Sequence, residues 1–348
     1  METQPKTSKS FFHKRLFANS LLRKRYFFAL CMILLMVGIA GVLGEKEIIF
    51  PEMAALTIGM WIVDKRVWRV KRWQMVVMMT AGAVAGVCIV RYSSLPQLAN
   101  LCMAFVFAAV CLLSTRTTLI PLISACMLPV LLGTESWVYP LAVCVMSLII
   151  VTGQKLMEMF RVRNKIVFEP KEEGWKEEVG KWTGVLCSIL VLAALAIYTA
   201  NYYFIIPPLI VAYVEFVSSK AGFRNRPVQI VLLLVTASAI GTLFQIVGHY
   251  YFHLPEWVVA LCVFIVLFTV FEWIGKFFAP VGALALIPMI VPEEGLAWMP
   301  LQVAVGATLF IAMGLVFFQQ CYKWPRAQLV YCLTPEYLRN RLHNKKES

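Results

Sequence analysis

Residues 26–44 read YFFALCMILLMVGIAGVLG, an unbroken apolar stretch without a charged residue. An α-helix needs about 20 apolar residues to cross the hydrocarbon core of a bilayer. Over the 348 residues, 60% are hydrophobic and 15% are charged, whereas soluble domains are about 25% charged. The composition therefore predicts an all-α membrane protein. It excludes a disordered, collagenous or disulfide-stapled secreted chain.

Apolar segments of this kind recur along the whole chain. The twelve segments are residues 26–44, 48–63, 73–90, 98–113, 118–132, 137–153, 183–199, 202–217, 228–252, 257–275, 277–291 and 299–320. Several are short, and the fifth and eleventh have only about 15 residues and contain prolines, which favours re-entrant or broken helices. We expect about twelve transmembrane or partly re-entrant helices.

The formal net charge of +13 tests this arrangement. If the N-terminus is cytoplasmic and all twelve segments cross, every Lys and Arg except Lys46 and Arg91 lies in a cytoplasmic stretch. The positive-inside rule then places both termini in the cytoplasm. The charge indicates orientation and does not indicate nucleic-acid binding. Because we find no convincing targeting signal, we expect a bacterial inner (plasma) membrane.

Polar stretches divide the chain into five parts. Residues 1–25 form a basic cytoplasmic tail, and residues 26–153 form the first membrane region. Residues 154–182 are a cytoplasmic linker, and residues 183–320 form the second membrane region. Residues 321–348 form another basic tail, which we expect to lie on anionic inner-leaflet lipids.

The two membrane regions share an order of prolines. Pro121 is followed eight residues later by Pro129, and Pro280 is followed eight residues later by Pro288. Six crossings return the chain to its starting side, so a second copy has the same orientation as the first. We therefore predict two parallel six-segment repeats, related by an axis along the membrane normal.

Arginine and glycine positions match in the same order. Arg72 precedes Gly86 in the third segment, and Arg226 precedes Gly241 in the ninth. An arginine at the inner end of a helix could attract an anion that enters from the cytoplasm. Alternatively, Arg72 and Arg226 serve only as topology anchors.

Three short motifs mark residues 204–291. They are Pro207-Pro208-Leu209, Arg226-Pro227 followed by Gly241, and Ala279-Pro280-Val281-Gly282-Ala283. This stretch resembles the HPP family of integral membrane proteins, although the name-giving His-Pro-Pro reads Phe278-Ala279-Pro280 here. Some members of the family are linked to nitrite transport, so the resemblance implies movement of a small anion. The six-plus-six plan is also similar to aromatic acid exporters of the fusaric acid resistance type.

Three glutamates lie in apolar segments or at their ends: Glu52, Glu215 and Glu272. A charge inside a membrane costs about 2.5–3.5 kcal/mol on insertion scales, which makes such residues functional candidates. Alternatively, Glu52 is a carboxylate in the first turn of a helix, where the helix dipole favours a negative charge. Glu215 and Glu272 could instead pair with Lys220 or Lys276 at the cytoplasmic interface.

Two short apolar segments are interrupted by Pro121, Pro129, Pro280, Gly282 and Pro288. Proline removes a helix N–H and frees a carbonyl, and freed backbone groups inside a membrane must be buried in protein or line a wet cavity. These residues therefore are candidates for a substrate pathway. The alternative is a packing kink with close approach of helices at glycine.

His249 and His253 are four residues apart, near Glu256, and that spacing can bind zinc. Because aromatic residues surround them and the sequence defines no comparable third ligand, an interfacial aromatic belt is the better interpretation. The ten cysteines contain no Cys-x-x-Cys pair. We expect no metal and no cofactor. With no catalytic motif present, we expect no enzyme.

These features lead to a transporter or channel-like permease for a small anion. Its partners would be the lipid bilayer and the anion, and a homodimer is one candidate assembly. The alternatives are an efflux protein like the aromatic acid exporters, a membrane scaffold that binds a partner, and an intramembrane enzyme. Transport predicts Glu52 and the proline-containing segments around one cavity, whereas a scaffold predicts a packed interface.

Overall fold

A computed structural model describes residues 20–64, 67–165, 175–218, 226–275 and 277–321. Every element in these ranges is helical, and they contain no strand. The prediction of an all-α chain is therefore confirmed. Most of both basic tails, part of the linker, Lys220 and Lys276 lie outside the described residues.

Twelve α-helices follow one another along the described chain. They are α1 Ser20–Leu43, α2 Glu52–Thr57, α3 Arg72–Tyr92, α4 Gln97–Thr115, α5 Pro121–Leu132, α6 Val138–Met159, α7 Trp175–Tyr198, α8 Pro207–Ser218, α9 Pro227–Phe244, α10 Glu256–Ile274, α11 Ala279–Leu286 and α12 Met299–Cys321. The π-helical stretch Ile58–Ile62 continues α2, the π-helical stretch Gln245–Tyr251 continues α9, and the 3₁₀ turn Ile287–Met289 continues α11. Eight described helices (α1, α3, α4, α6, α7, α9, α10 and α12) are long and apolar enough to cross a membrane, which is compatible with a multi-pass membrane protein.

The remaining four helices, α2, α5, α8 and α11, are short. A twelve-residue helix such as α5 is about 18 Å long, which is too short for a hydrocarbon core of about 30 Å. The prolines in the sequence singled out the fifth and eleventh segments. The second and eighth segments are broken as well, because the chain around Ile49 and the 3₁₀ turn Tyr202–Ile205 use part of their apolar residues.

The short helices form the centre of the bundle. All residues of α2 and α11 are buried, whereas in each long helix between 33% and 44% of the most apolar 18-residue stretch is buried. Helix α2 packs on α11, and α5 packs on α8. In the surrounding ring, α1 packs on α10 and α7 packs on α4. In each membrane region, short helices and long helices therefore contact the other region.

Helices α2 and α8 begin inside the bundle and not level with the ends of the long helices beside them. The Phe50 N–H donates to Met36 Sδ at 3.3 Å, and Met36 lies seven residues, about 10 Å, from the end of α1. The backbone of Phe204 lies against Gly306, which is likewise seven residues into α12. Both short helices therefore start at a similar depth inside the bundle.

Helices α5 and α11 pack on α3 and α9 at close glycine contacts. A Cβ added to either glycine would overlap a backbone carbonyl oxygen and lie 3.1 Å from a proline Cγ. The residues are Gly86 with Cys126 and Pro129, and Gly241 with Ala285 and Pro288. Because Gly86 is fourteen residues along α3, the start of α5 lies about 13 Å beyond the start of α3. Helix α5 also begins inside the bundle.

Candidate functional site

Glu52 is the first residue of α2 and is 1% exposed. The Ser124 hydroxyl on α5 donates a hydrogen bond to Glu52 Oε1, and Glu52 Oε2 has no hydrogen-bond partner among the described residues. Next to Ser124, the Tyr139 hydroxyl donates to the Ala125 carbonyl at 3.1 Å. A buried and half-paired carboxyl is expensive inside a membrane and marks Glu52 as a functional candidate.

Gly282 lies where α11 crosses α2. A Cβ at Gly282 would overlap the Ile58 side chain and lie 3.4 Å from the Ala54 backbone. The absence of a side chain therefore lets the two short helices approach each other closely, within two residues of Glu52 along α2. Of the predicted site residues, Glu52 and Gly282 thus lie at neighbouring positions on the same pair of helices.

Pro121 and Pro280 are buried at the starts of α5 and α11. The prediction that prolines interrupt the two short segments is therefore wrong at these two positions. The first N–H groups of a helix have no intrahelical acceptor, so a proline at the start removes no bond. The proline inside α5 is Pro129, and Pro288 lies in the 3₁₀ turn after α11.

Glu215 on α8 accepts a hydrogen bond from Trp68 Nε1 at 2.9 Å, and both side chains are buried. The Trp68 ring also lies against Gly59, in the π-helical continuation of α2. Trp68 therefore fills the space between α2 and α8 near the end where α3 begins. Its indole therefore is one observed partner of Glu215. The predicted partner Lys220 lies outside the described residues.

Glu272 on α10 accepts a hydrogen bond from the Tyr26 hydroxyl on α1 at 2.6 Å. The Tyr26 ring also packs edge-on against Phe268, with ring centroids 4.9 Å apart. This contact joins the two membrane regions at their outer ring, away from the short helices. The predicted partner Lys276 lies outside the described residues.

Arg72 and Arg226 occupy the starts of α3 and α9. Arg72 forms an ion pair with Glu158 at the end of α6, and Gln154 donates to the same carboxylate at 2.8 Å. Arg226 donates to Gln229 Oε1 at 3.4 Å. Neither contact involves Glu52, so the structure does not bring these arginines to the buried carboxyl.

A second arginine cluster, which the sequence did not reveal, lies near the start of α1. Arg25 forms an ion pair with Asp64 and donates from Nε to the Val162 carbonyl at 2.8 Å. Arg163, in the turn after α6, donates to the Val63 carbonyl at 2.7 Å. Burial, together with the charge of Arg25, lowers the pKa of Arg163 to about 10. The cluster ties the ends of α2 and α6 to α1.

Three buried hydroxyls in long helices have no hydrogen-bond partner among the described residues: Ser147, Ser238 and Thr242. Ser238 and Thr242 are four residues apart on α9, so they lie on one face. That face also carries Gly241, next to Thr242, which contacts α11. Polar residues at helical spacing in an apolar segment are the sequence signal that could have identified this face.

Among the cavities lined by described residues, two are large enough to hold a ligand. One, of about 360 Å³, lies between the ends of α5 and α11 and the start of α8, with Leu132, Ile206 and Gln302 in its lining. The other is an open groove of about 1090 Å³ between α1 and α6. Glu52 lines neither cavity. The part of the centre around Glu52 is closely packed, as the Gly282 contact illustrates.

His249 lies in the π-helical continuation of α9, and His253 lies two residues after that stretch ends. His249 Nδ1 lies 3.0 Å from the Leu254 carbonyl, and its Nε2 lies 3.9 Å from a Glu256 carboxylate oxygen. His253 follows the helix with a left-handed φ of 52°. No group of three possible metal ligands occurs within the described ranges.

Comparison with family models, with curated proteins and with solved structures finds no match in any of the three.

Proposed function

We propose that this chain is a permease for a small anion, with its pathway through the centre where the short helices meet. The observation that carries the proposal is that α2, α5 and α8 begin inside the bundle rather than at its ends. Broken helices at mid-depth are a recurring way of building substrate sites in transporters. Glu52 and Ser124 would supply the polar groups of that site. The HPP-like motifs are consistent with this choice of substrate class.

A carboxylate at Glu52 would repel an anion. A proton on Glu52 removes that repulsion and turns the carboxyl into a hydrogen-bond donor. The pathway therefore accepts the anion together with a proton, and Glu52 is the proton carrier. Oε2, which has no hydrogen-bond partner in the part of the chain that the structure describes, is the atom that faces the substrate when the site opens.

The two membrane regions, residues 26–153 and 183–320, are two parallel repeats in this proposal. Reciprocal packing supports the assignment, since α2 packs on α11 where α8 packs on α5, and α1 packs on α10 where α7 packs on α4. The matched contacts of Gly86 and Gly241 with prolines at 3.1 Å support it as well. The pathway then follows the pseudo-symmetry axis, with both termini in the cytoplasm of a bacterial cell.

This conformation corresponds to a closed state of the pathway. Trp68 fills the space between α2 and α8 at the basic end of the bundle, which is the end that carries Arg69, Lys71 and Arg72. At the opposite end, the cavity of about 360 Å³ reaches Ile206, directly before the start of α8. Transport requires α2 and α8 to separate from α11 and α5 far enough to expose Glu52.

A membrane scaffold is the second candidate function. The close packing around Glu52 favours it, because Glu52 lines neither of the two cavities. In a scaffold, the polar centre would fix the register of the short helices and no solute would cross. An efflux protein for aromatic acids is a variant of the first candidate with a larger substrate.

Flux into proteoliposomes separates these candidates. The purified chain is reconstituted, and uptake is measured for a panel that contains nitrite, nitrate, chloride, acetate and benzoate. We expect uptake of at least one small inorganic anion above that of empty liposomes. Uptake of benzoate alone supports the efflux variant. No uptake of any anion contradicts the permease and favours the scaffold.

Orientation is tested separately by cysteine labelling in intact cells. Position 173 lies in the linker, which the proposal places in the cytoplasm. A Glu173→Cys variant should react with a membrane-impermeant maleimide only after the cells are opened, compared with the unsubstituted chain. Labelling of intact cells at this position would contradict the orientation.

A further inference from the structure

The groove between α1 and α6 has the length of one lipid leaflet. Its lining runs along α1 from Ser20 to Leu35, a distance of about 22 Å, and along α6 from Leu148 to Phe160, about 18 Å. A bilayer with its headgroups is about 40–45 Å thick, so one leaflet is about 20–22 Å. The groove therefore extends from the headgroup level to the middle of the bilayer.

Trp61 forms the floor of the groove. Its Nε1 donates to the Ile150 carbonyl at 3.0 Å, and its side chain is 3% exposed. A Cβ added to Gly153 would overlap the indole ring, so the glycine allows Trp61 to lie flat against α6. The indole therefore presents an apolar floor, as an acyl chain requires.

Charge lies at one end of the groove only. Arg23 and Lys24 are both exposed there, and neither forms an ion pair with a described acidic residue. Farther along α1, Phe27, Phe28 and Leu35 are 63%, 44% and 49% exposed. The groove thus has two cations at the headgroup level and aromatic and aliphatic side chains farther along α1.

The matching place in the second membrane region is filled. There, the Phe317 ring of α12 lies against Gly184 of α7. The helices α7 and α12 pack on each other, whereas α1 and α6 are held apart above Trp61. The groove is therefore a particular feature of α1 and α6 and not a general result of packing apolar helices.

The geometry points to a binding site for one anionic phospholipid, with its phosphate at Arg23 and Lys24 and an acyl chain in the groove over Trp61. The two cations select an anionic headgroup over a zwitterionic one. A second copy of the chain fits less well, because a symmetric parallel pair would bring Arg23 and Lys24 of both copies to the same level. The site lies on the outer ring and does not depend on transport.

Native mass spectrometry of the full chain in detergent tests the headgroup. Phosphatidylglycerol and phosphatidylcholine with the same acyl chains are added at equal concentrations. We expect one retained phosphatidylglycerol and no preference for phosphatidylcholine. The double variant Arg23→Gln, Lys24→Gln should bind phosphatidylglycerol about tenfold more weakly or worse. Lys155→Gln, which removes an exposed cation of α6 outside the groove, should bind as the unchanged chain does.

A second pair of variants tests the groove itself. Cys31 lines the groove, and Cys31→Trp should block the acyl chain and abolish retention of phosphatidylglycerol. Cys187, an exposed cysteine on α7, provides the control Cys187→Trp, which should retain the lipid. Both variants are first checked for a single symmetric peak in size-exclusion chromatography.

Several results would overturn the site. Equal retention of the two lipids would remove the anionic specificity, and full retention by Cys31→Trp would place the lipid elsewhere. A dimer of the unchanged chain that Cys31→Trp dissociates would assign the groove to a second copy. Because binding is measured without any solute flux, these outcomes are independent of the permease proposal.

Discussion

The crossing of α2 with α5 differs from that of α8 with α11 in the polarity of two matching positions. Counted from the proline that opens each helix, the first crossing carries Glu52 and Ser124, whereas the second has Pro208 and Ala283 at the same places. The first pair forms a buried hydrogen bond, and the second pair is apolar and buried. The two crossings thus differ in polarity at this pair of positions.

Trp68 makes a similar distinction at the basic end. Gly59 and Glu215 both lie eight residues beyond the proline that precedes or opens their helix, and Trp68 touches both of them. The ring occupies the space that glycine leaves on one side and donates its N–H to the carboxyl on the other. The indole of Trp68 therefore contacts two matching positions, one through its ring and the other through its N–H group.

The largest expected effect concerns the packing that the two regions share. Gly86→Ala and Gly241→Ala should each destabilise the chain by about 2–3 kcal/mol, because the new Cβ overlaps a backbone carbonyl. Alanine normally stabilises a helix relative to glycine, so the sign itself is informative. Thermal unfolding in detergent measures the effect. Gly41→Ala, on the exposed face of α1, is the matched control and should not destabilise. A tolerated change at either Gly86 or Gly241 would break the proposed equivalence.

A smaller loss should follow removal of the indole donor at the basic end. Trp68→Phe leaves the buried Glu215 carboxyl without its hydrogen bond and should cost about 2 kcal/mol in unfolding free energy. In a Glu215→Leu background the same change should cost clearly less, because the carboxyl has been removed. Equal losses in both backgrounds would show that ring packing against Gly59, and not the hydrogen bond, holds α2 and α8 together.

The smallest effects on stability should come from removing the hydroxyl at the polar crossing and from adding one at the apolar crossing. Ser124→Ala removes the donor to Glu52 and should cost about 1.5 kcal/mol, since hydrogen bonds to charged groups contribute about 1.5–3 kcal/mol. Ala283→Ser adds a hydroxyl at the matching place, where it finds no carboxyl. Thermal unfolding compares the two variants, and anion flux should fall only for Ser124→Ala. An equal fall in flux for both would show that the crossings contribute alike.

Local features of the fold could be predicted from the sequence, because hydropathy and charge are properties of neighbouring residues. The third segment, predicted over residues 73–90, is the helix Arg72–Tyr92. The shortness of α2 and α8 could not be predicted in the same way. An apolar stretch has the same composition whether it is helical throughout or partly extended, so the chain around Ile49 gave no signal.

The partners of the candidate residues depend on the tertiary structure. Trp68 and Glu215 are 147 residues apart in the chain, and their hydrogen bond exists only because α2 and α8 lie side by side. Ser124 is an ordinary residue in an apolar segment until α5 places it against Glu52. The wrong prediction at Pro121 has a similar origin, because the sequence alone does not distinguish a proline at the start of a helix from a proline at a kink.

Coupled movement of a proton and an anion through Glu52 is the central claim, and internal pH in proteoliposomes tests it most directly. An inward gradient of the anion identified by the panel is applied, and a trapped pH-sensitive dye reports proton entry. The account predicts acidification with the unchanged chain and with Glu135→Gln, an exposed glutamate outside the centre. It predicts none with Glu52→Gln, although that variant still folds. Equal acidification with Glu52→Gln would contradict the account.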